Sequence, residues 1–217
     1  MSSQDQPYVA FDAGSEIPVV KDELRRAILA EREVRSTRDR ELTAADFAQV
    51  VGDIPVVRAA GCVAAYAARD AEPGTTPLLD RLAQRGARVL LPVLGTGLQR
   101  QWAYLTSTAE LEVRAPGRPP EPPGPTLGAE ALAAADVVLV PALAVDTSGA
   151  RLGHGGGWYD RVLEHVRPGV LVIAIVFPSE VYDAAHLPLP QESHDKQVDA
   201  VATTAGWRLL GRAGLKH

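Results

Sequence analysis

The 217-residue chain has one cysteine, Cys62, a single methionine and few aromatic residues, 5% of the total. A lone thiol excludes an intrachain disulfide framework and fits a reducing compartment. No base stands near Cys62 in sequence, so it reads as a small buried apolar residue rather than a nucleophile. Positive charge is not in excess either. The 22 basic and 27 acidic residues leave a net charge of -5, which excludes the electrostatic footprint of a general nucleic-acid or membrane-surface binder. Apolar runs such as Val170–Phe177 fall well short of the ~20 residues a membrane-spanning helix needs. The stretch up to Glu16 has neither the basic start nor the apolar segment of a secretory signal. The five histidines contain no His-x-x-x-His pair, so no zinc site follows from their spacing. No serine sits in a nucleophile elbow. The protein is expected to be soluble and cytoplasmic, and to handle small molecules as a monomer.

What is present is an alternation of helical and strand patterns. Residues 1–17 lack periodicity and are expected to form a disordered tail, with residues 18–217 as a single domain. Pro18 sits where a first helical turn tolerates it, and Val20, Leu24, Ile28 and Leu29 follow at helical spacing, predicting a helix from about Pro18 to Arg35. A second helix is expected to open at Thr43, with Asp46 completing a weak capping box, and to end near Gly52–Pro55. A strand from Gly61, a helix over Thr76–Arg85 stopped by Gly86 and a strand over Arg88–Leu91 form a βαβ unit. Six prolines between Pro116 and Pro125 rule out a continuous helix or central strand and make that segment a loop or arm. An Ala-rich helix after Leu127 leads into Asp136–Val140, a continuous apolar run of the kind a parallel sheet buries on both faces. A crossover helix over Trp158–His165 and a strand over Val170–Val176 make a second βαβ unit, and a last strand spans Asp199–Thr203. The expected fold is α/β, an open and mostly parallel sheet with helices on both faces.

Chemistry concentrates in Pro141–Arg161, which follows a buried strand and opens a helix. In open α/β sheets ligands sit at that place, at the carboxyl ends of the strands. Four glycines in five positions, Gly153 and Gly155–Gly157, let backbone amides face outward, and the helix behind adds partial positive charge, an arrangement suited to an anion. A merely flexible connection would also use such a run, but the flanking Arg151, Tyr159 and Asp160 favour a site. The spacing is not the dinucleotide fingerprint, because Trp158 stands where the third glycine belongs, and no Gly-Lys-Ser/Thr follows to make a Walker A loop.

The run Val140-Pro-Ala-Leu-Ala-Val-Asp146, then Gly149, then Arg151-Leu-Gly-His-Gly-Gly-Gly-Trp-Tyr-Asp-Arg161, resembles the signature of the 5-formyltetrahydrofolate cyclo-ligase family. Weaker features fall in the family's order: Lys21-x-x-x-Arg25 on the first helix, Glu72 after the first strand, and His194-Asp195 near the end. The resemblance covers about Val19 to Thr204. Trp158 stands where the family usually has tyrosine and Glu180 where glutamine is common, and residues 95–128 match poorly.

The resemblance implies the family's fold and its reaction, ATP- and magnesium-dependent closure of a reduced folate, 5-formyltetrahydrofolate, into 5,10-methenyltetrahydrofolate. It assigns ATP to Lys21, Arg25 and the loop Arg151, Leu152, Gly153, His154, Gly155, Gly156, Gly157, Trp158 and Tyr159. It assigns the folate to Glu72 and to His154–Trp158, and magnesium to Asp160 and Asp195, oxygen donors that suit a hard cation. Taken one at a time, Lys21 and Arg25 also fit a solvated helix face, Glu72 a turn, and the two aspartates a cap and a surface acid. No catalytic base is singled out. A non-catalytic folate- or nucleotide-binding protein, or a sugar-phosphate isomerase-like enzyme, remains the alternative.

Overall fold

A computed structural model describes residues 6–94 and 100–211. Helix α1, Ile17–Glu33, carries Pro18 in its first turn and turns Val20, Leu24 and Ile28 inward, as the spacing predicts. Helix α2, Thr37–Asp53, begins earlier than the Thr43 start expected from sequence. Its cap is Ser36, whose hydroxyl accepts the Asp39 N–H at 3.1 Å. Thr43 lies inside the helix and donates back to the Asp39 carbonyl at 2.7 Å.

Helix α3, Pro55–Ala59, leads to strand β1, Cys62–Ala64. Helix α4, Thr76–Gln84, then carries the chain to β2, Arg88–Val93, which lies parallel to β1 as a βαβ unit requires. Strand β3, Gln101–Tyr104, returns antiparallel on β2. The helix expected after Leu127 is a 3₁₀ segment, Ala129–Ala134. Leu127 is pinned by paired backbone hydrogen bonds to Trp102 at 2.7 and 2.9 Å, and β4 starts at Val137, so too few residues intervene for a longer α-helix.

Strand β4, Val137–Pro141, is followed by β5, Ala144–Asp146, and β6, Arg151–Leu152. The expected crossover helix over Trp158–His165 is α-helical only as α5, Trp158–Val162, and finishes as a 3₁₀ turn over Leu163–His165. Strands β7, Leu171–Ile175, β8, Val181–Tyr182, β9, Ala200–Thr203, and β10, Gly206–Leu209, complete the chain.

The main sheet has the order β10-β9-β7-β4-β1-β2-β3, and its five central strands are parallel. Antiparallel β3 and β10 close its two edges. Alternate residues of the central strands feed two cores. Val63, Leu91, Leu139 and Ile173 pack under α2, α3 and α4, while Ala64, Leu90, Val138 and Ala174 pack under the 3₁₀ segment and α5. Helical elements therefore cover both faces, as expected of a parallel sheet. A second sheet, β6-β5-β8, seats α1 through Leu24, Ile28, Leu152 and Tyr182.

Residues 6–9, expected to belong to a disordered tail, lie against this small sheet. Gln6 donates to the Ser179 and Val181 carbonyls at 2.5 and 3.0 Å, and the Tyr182 hydroxyl donates to the Pro7 carbonyl at 2.5 Å. The sequence alone shows no partner for this stretch, because β8 is only two residues long. Among the described residues, no helix is long and apolar enough to cross a membrane.

Candidate active site

The carboxyl ends of β1, β2 and β4, the first turns of α1 and the loop after β6 enclose a cavity of about 350 Å³. Its scaffold begins at Asp146, a fully buried carboxylate at the end of β5. One oxygen accepts the N–H groups of Ser148 and Ala150 at 2.9 and 3.1 Å, and the other accepts that of Leu189 at 2.9 Å. Asp146 thus ties the start of the Gly-rich loop to the segment that carries Glu192 and Asp195. That is a positioning job, and it explains an aspartate inside an otherwise apolar run.

The loop itself depends on glycine at two places. Gly155 has φ +94° with the Arg25 guanidinium carbon 3.5 Å from where a Cβ would lie, and Gly157 has φ +58° just before α5. A side chain at Gly155 would be strained and would also crowd Arg25. Helix α5 is a single short turn, so a helix dipole contributes little here, and the cations beside the loop are Arg25 and Arg151.

The structure brings together on this cavity every site residue named from sequence: Lys21, Arg25, Glu72, Arg151, Leu152, Gly153, His154, Gly155, Gly156, Gly157, Trp158, Tyr159, Asp160 and Asp195. Lys21 is 4% exposed, so it does not belong to a solvated helix face. Its ammonium group sits 2.8 Å from Glu192 and 2.5 Å from Asp195. Four residues on, Arg25 donates its Nε–H to the Gly153 carbonyl at 2.8 Å and pairs with Asp22. Arg151 pairs with Asp160 at 2.6 Å, with its guanidinium 5.9 Å from the Tyr159 ring centre. The side chain of Asp160 also accepts the Lys196 N–H at 3.2 Å.

On the wall formed after β1, Glu72 is held by Arg69, which donates its backbone N–H at 2.8 Å and Nη2 at 3.0 Å. His154 Nε2 lies 2.8 Å away, a close contact without the alignment of a hydrogen bond. Burial pushes the Glu72 carboxyl up, but His154 and Arg69 outweigh it and lower the group to about 2. The acid is therefore ionised and aimed at a cavity. Asp195 is treated similarly: burial raises it, while the Glu192 N–H and the Lys21 ammonium lower it further. Tyr66, buried, and Tyr159, partly buried, are held neutral by desolvation first and by the Glu72 charge second.

Trp158 stacks edge-on to the buried Trp102 at 5.1 Å and to Tyr159 at 4.9 Å, so the aromatic wall is continuous. The proline-rich arm supplies Pro119 and Pro120 to the cavity and is fastened by paired backbone bonds between Glu112 and Glu121 at 2.9 and 3.0 Å. The carboxylate of Glu121 accepts the Leu94 N–H at 2.9 Å.

Sequence reasoning missed Arg69, Tyr66 and Glu192. Arg69 and Glu192 each precede a named acid by three residues, the one signal that pointed to them. Among the described residues, the group whose donor atoms converge for a cation is Glu192, His194 and Asp195, within 4.8 Å of one another. Asp160 is not in that group.

This geometry agrees with the comparisons. A family model described as the 5-formyltetrahydrofolate cyclo-ligase family matches residues 18–204. The chain belongs to the 5-formyltetrahydrofolate cyclo-ligase family. A 5-formyltetrahydrofolate cyclo-ligase of Mycolicibacterium smegmatis is 41% identical over 195 residues, covering 86% of this chain and 94% of that protein. The Escherichia coli cyclo-ligase is 36% identical over 112 residues, 51% of this chain and 62% of that protein. Among solved structures, the Aquifex aeolicus 5,10-methenyltetrahydrofolate synthetase superposes with a TM-score of 0.72 at 28% identity, covering 88% and 92% of the two chains. This cyclo-ligase family member is thus an enzyme with its family's fold, and all its family-like residues face one cavity.

Proposed function

We propose that this chain cyclises 5-formyltetrahydrofolate to 5,10-methenyltetrahydrofolate, converting ATP to ADP and phosphate. One observation carries the reading: a single cavity gathers the cations Lys21, Arg25 and Arg151, the amides of Gly153–Gly157 and the ionised, buried Glu72. An anion and a donor-rich heterocycle are the two ligands such a lining suits. The names of the relatives fit both, and so does membership of an ATP-dependent family.

In this reading the γ-phosphoryl group of ATP passes to the formyl oxygen on the five-position nitrogen, giving an iminophosphate. The ten-position amine attacks the activated carbon and gives up its proton, which phosphate carries off as the carbon–oxygen bond to it breaks and the methenyl bridge closes. Such a transfer needs positioning and charge neutralisation more than covalent help from the protein. Lys21, Arg25, Arg151 and the loop amides bind the phosphates. Glu72, ionised at neutral pH, accepts N–H groups from the aminopyrimidinone edge of the pterin and orients it. Trp158 and Tyr159 wall the reacting centre from water.

Magnesium would lie against Asp195 and Asp160. The oxygen donors present fit a hard cation, and the convergence with Asp195 adds Glu192 to the set. When bound, the ion offsets phosphate charge. Without ligand, the Lys21 ammonium pairs with both the Asp195 and Glu192 carboxylates and offsets one of their two charges. The same reading takes residues 18–217 as one domain and the protein as a cytoplasmic monomer.

The test is methenyl absorbance on mixing purified protein with 5-formyltetrahydrofolate. Product is expected only with both ATP and magnesium. Tight folate binding without ATP-dependent product would favour the non-catalytic binding protein instead.

A further inference from the structure

The phosphate-binding candidates of the cavity and its folate wall stand on different cores. Leu24 and Ile28, one and two turns beyond Lys21 on α1, pack with Ala150 and Leu152 on either side of Arg151, and with Leu189, three residues before Glu192. The folate wall rests elsewhere. Tyr66 and Ala67, which lead to Glu72, belong to the core under α2 and α4, while Trp158 and Tyr159 pack against the core on the other face of the main sheet. Tyr8 and Val9 pack onto the third core, the one that carries the phosphate side. They precede the range 18–204 that the family model matches.

We propose that Tyr8 is a positioning residue for the reaction: with Gln6 and Pro7 it fixes the segment that carries Glu192 and Asp195, and so governs the affinity for magnesium–ATP but not for folate. The inference rests on the ATP-dependent reading of the cavity and deepens it. Three successive residues hold the segment. Gln6 donates to the Ser179 and Val181 carbonyls at 2.5 and 3.0 Å, Pro7 accepts the Tyr182 hydroxyl, and the Tyr8 hydroxyl donates to the Pro188 carbonyl at 3.1 Å. Residues 6–8 thus tie β8 to Pro188. Asp146 takes the next N–H, that of Leu189, at 2.9 Å, so Tyr8 grips the chain from the solvent side where a buried carboxylate grips it from within. Burial first and the Asp146 charge second raise the Tyr8 phenol, which keeps the proton it donates.

The restraint reaches the acids through stiff backbone. Proline fixes its own φ, so Pro188 and Pro190 leave few free torsions between the Tyr8 contact and Gln191. Glu192 and Asp195 then close a turn on each other: the Glu192 N–H donates to the Asp195 carboxylate at 2.7 Å, and the Asp195 N–H to the Glu192 carbonyl at 3.1 Å. The turn moves as one piece, and both its carboxylates meet Lys21. Beyond the turn, the Lys196 N–H donates to Asp160 at 3.2 Å and the Val198 N–H to the Gly149 carbonyl at 2.9 Å. With that end held, loosening at Pro188 tilts the acids against Lys21. Glu72, fastened by Arg69 on another core, stays where it is.

The experiment compares the full-length wild-type protein with Tyr8→Ala and Tyr8→Phe. Calorimetry measures the binding of magnesium–ATP and, separately, of 5-formyltetrahydrofolate, and hydrogen exchange of the ligand-free proteins follows the amides of Leu189, Glu192 and Asp195 beside those of β1 and β2. Tyr8→Ala should weaken magnesium–ATP by about fivefold or more, and Tyr8→Phe, which keeps the ring and loses the bond to Pro188, by about twofold. The folate constant should stay within about twofold of wild type in both, as expected of a site that shares no partner with Tyr8. In Tyr8→Ala the three amides of the acid segment should exchange about fivefold faster or more, with β1 and β2 unchanged. Wild-type magnesium–ATP binding in Tyr8→Ala would overturn the inference. So would equal losses for both ligands with faster exchange throughout, which would make Tyr8 a support of the whole fold. A wild-type protein that binds both ligands but forms no methenyl product would sink the cyclisation reading alone, because the split between the two constants still decides the role of Tyr8. One that binds no nucleotide would sink both.

Discussion

Glu180 and Glu72 are both buried carboxylates held by an arginine, one in the core behind α1 and the other at the cavity wall. Glu180 takes a two-pronged contact from Arg32, 2.7 Å to Nε and 2.8 Å to Nη2, and accepts the Phe177 N–H at 2.8 Å. Arg32 donates in turn to the Ala142 carbonyl at 2.7 Å, with its guanidinium 5.4 Å from the Phe177 ring centre. Everything around this pair is protein. Glu72 has an arginine whose side chain is about a third exposed, a histidine at contact distance, and a cavity in front. The same residue types fasten α1 in one place and face a ligand in the other; what differs is whether solvent-accessible space borders the acid.

Their electrostatics separate the same way. Burial dominates at Glu180 and raises its carboxyl despite Arg32, whereas at Glu72 the partners win over burial and lower it. A core acid with a raised pKa is held by geometry against its own desolvation. An acid kept ionised beside a cavity is suited to accepting donors from a ligand.

The sharpest way to break this comparison is to remove one partner of the core pair. Arg32→Ala leaves Glu180 buried without its counter-ion and should lower the free energy of unfolding by about 3–5 kcal/mol. Urea denaturation at neutral pH measures it. A loss below about 1 kcal/mol would mean that Glu180 reaches water, and that the two acids are not of different kinds.

A second prediction uses pH. Glu72 has a folded-state value of about 2 against an ordinary 4.5, so the unfolded chain binds its proton more tightly. The stability it contributes is present above pH 4.5 and is lost as pH falls through 2. By linkage the shift amounts to about 3 kcal/mol. Glu180, shifted upward, acts with the opposite sign: its contribution is complete below pH 4.5 and declines as pH rises through its folded-state value. Denaturation of wild-type and Glu72→Gln protein between pH 2 and 5 should therefore give curves that diverge as pH rises. Parallel curves would show that Glu72 is not held ionised.

Much of this was legible beforehand, and the rest was hidden for identifiable reasons. The parallel core strands declared themselves as uninterrupted apolar runs, and the Gly153–Gly157 loop by a composition that little else requires. Strand β10 escaped notice because Trp207 and Leu209 are exposed on an edge, so no burial pattern marks it. The start of α2 was misplaced because Thr43 and Asp46 imitate a cap that Ser36 and Asp39 form. The small sheet has strands of two or three residues, too short for periodicity. At the site, Lys21, Glu72 and Asp195 were readable only through the family's motif order. Arg69 and Glu192 become apparent only when the chain folds them against those residues.

The smallest effect expected is kinetic. Glu72→Gln keeps size and one acceptor oxygen but replaces an ionised acceptor with an amide that is half donor. If Glu72 reads the pterin edge, which presents donors, the variant loses a charge-assisted contact and gains a donor–donor clash. The folate-dependent kcat/KM should fall by the equivalent of about 1.5–3 kcal/mol, roughly tenfold to somewhat over a hundredfold. The KM for ATP should stay within about twofold, since the candidate phosphate contacts Lys21, Arg25 and Arg151 are other residues. A purely structural role predicts a different split: a less stable loop behind Glu72 would displace His154 and, with it, the glycines that face the phosphates, so the ATP and folate constants would worsen together. Steady-state kinetics with each substrate varied in turn, on protein shown by its denaturation curve to be folded at the assay temperature, separates the two. Equal losses for ATP and folate would return Glu72 to the class that Glu180 represents.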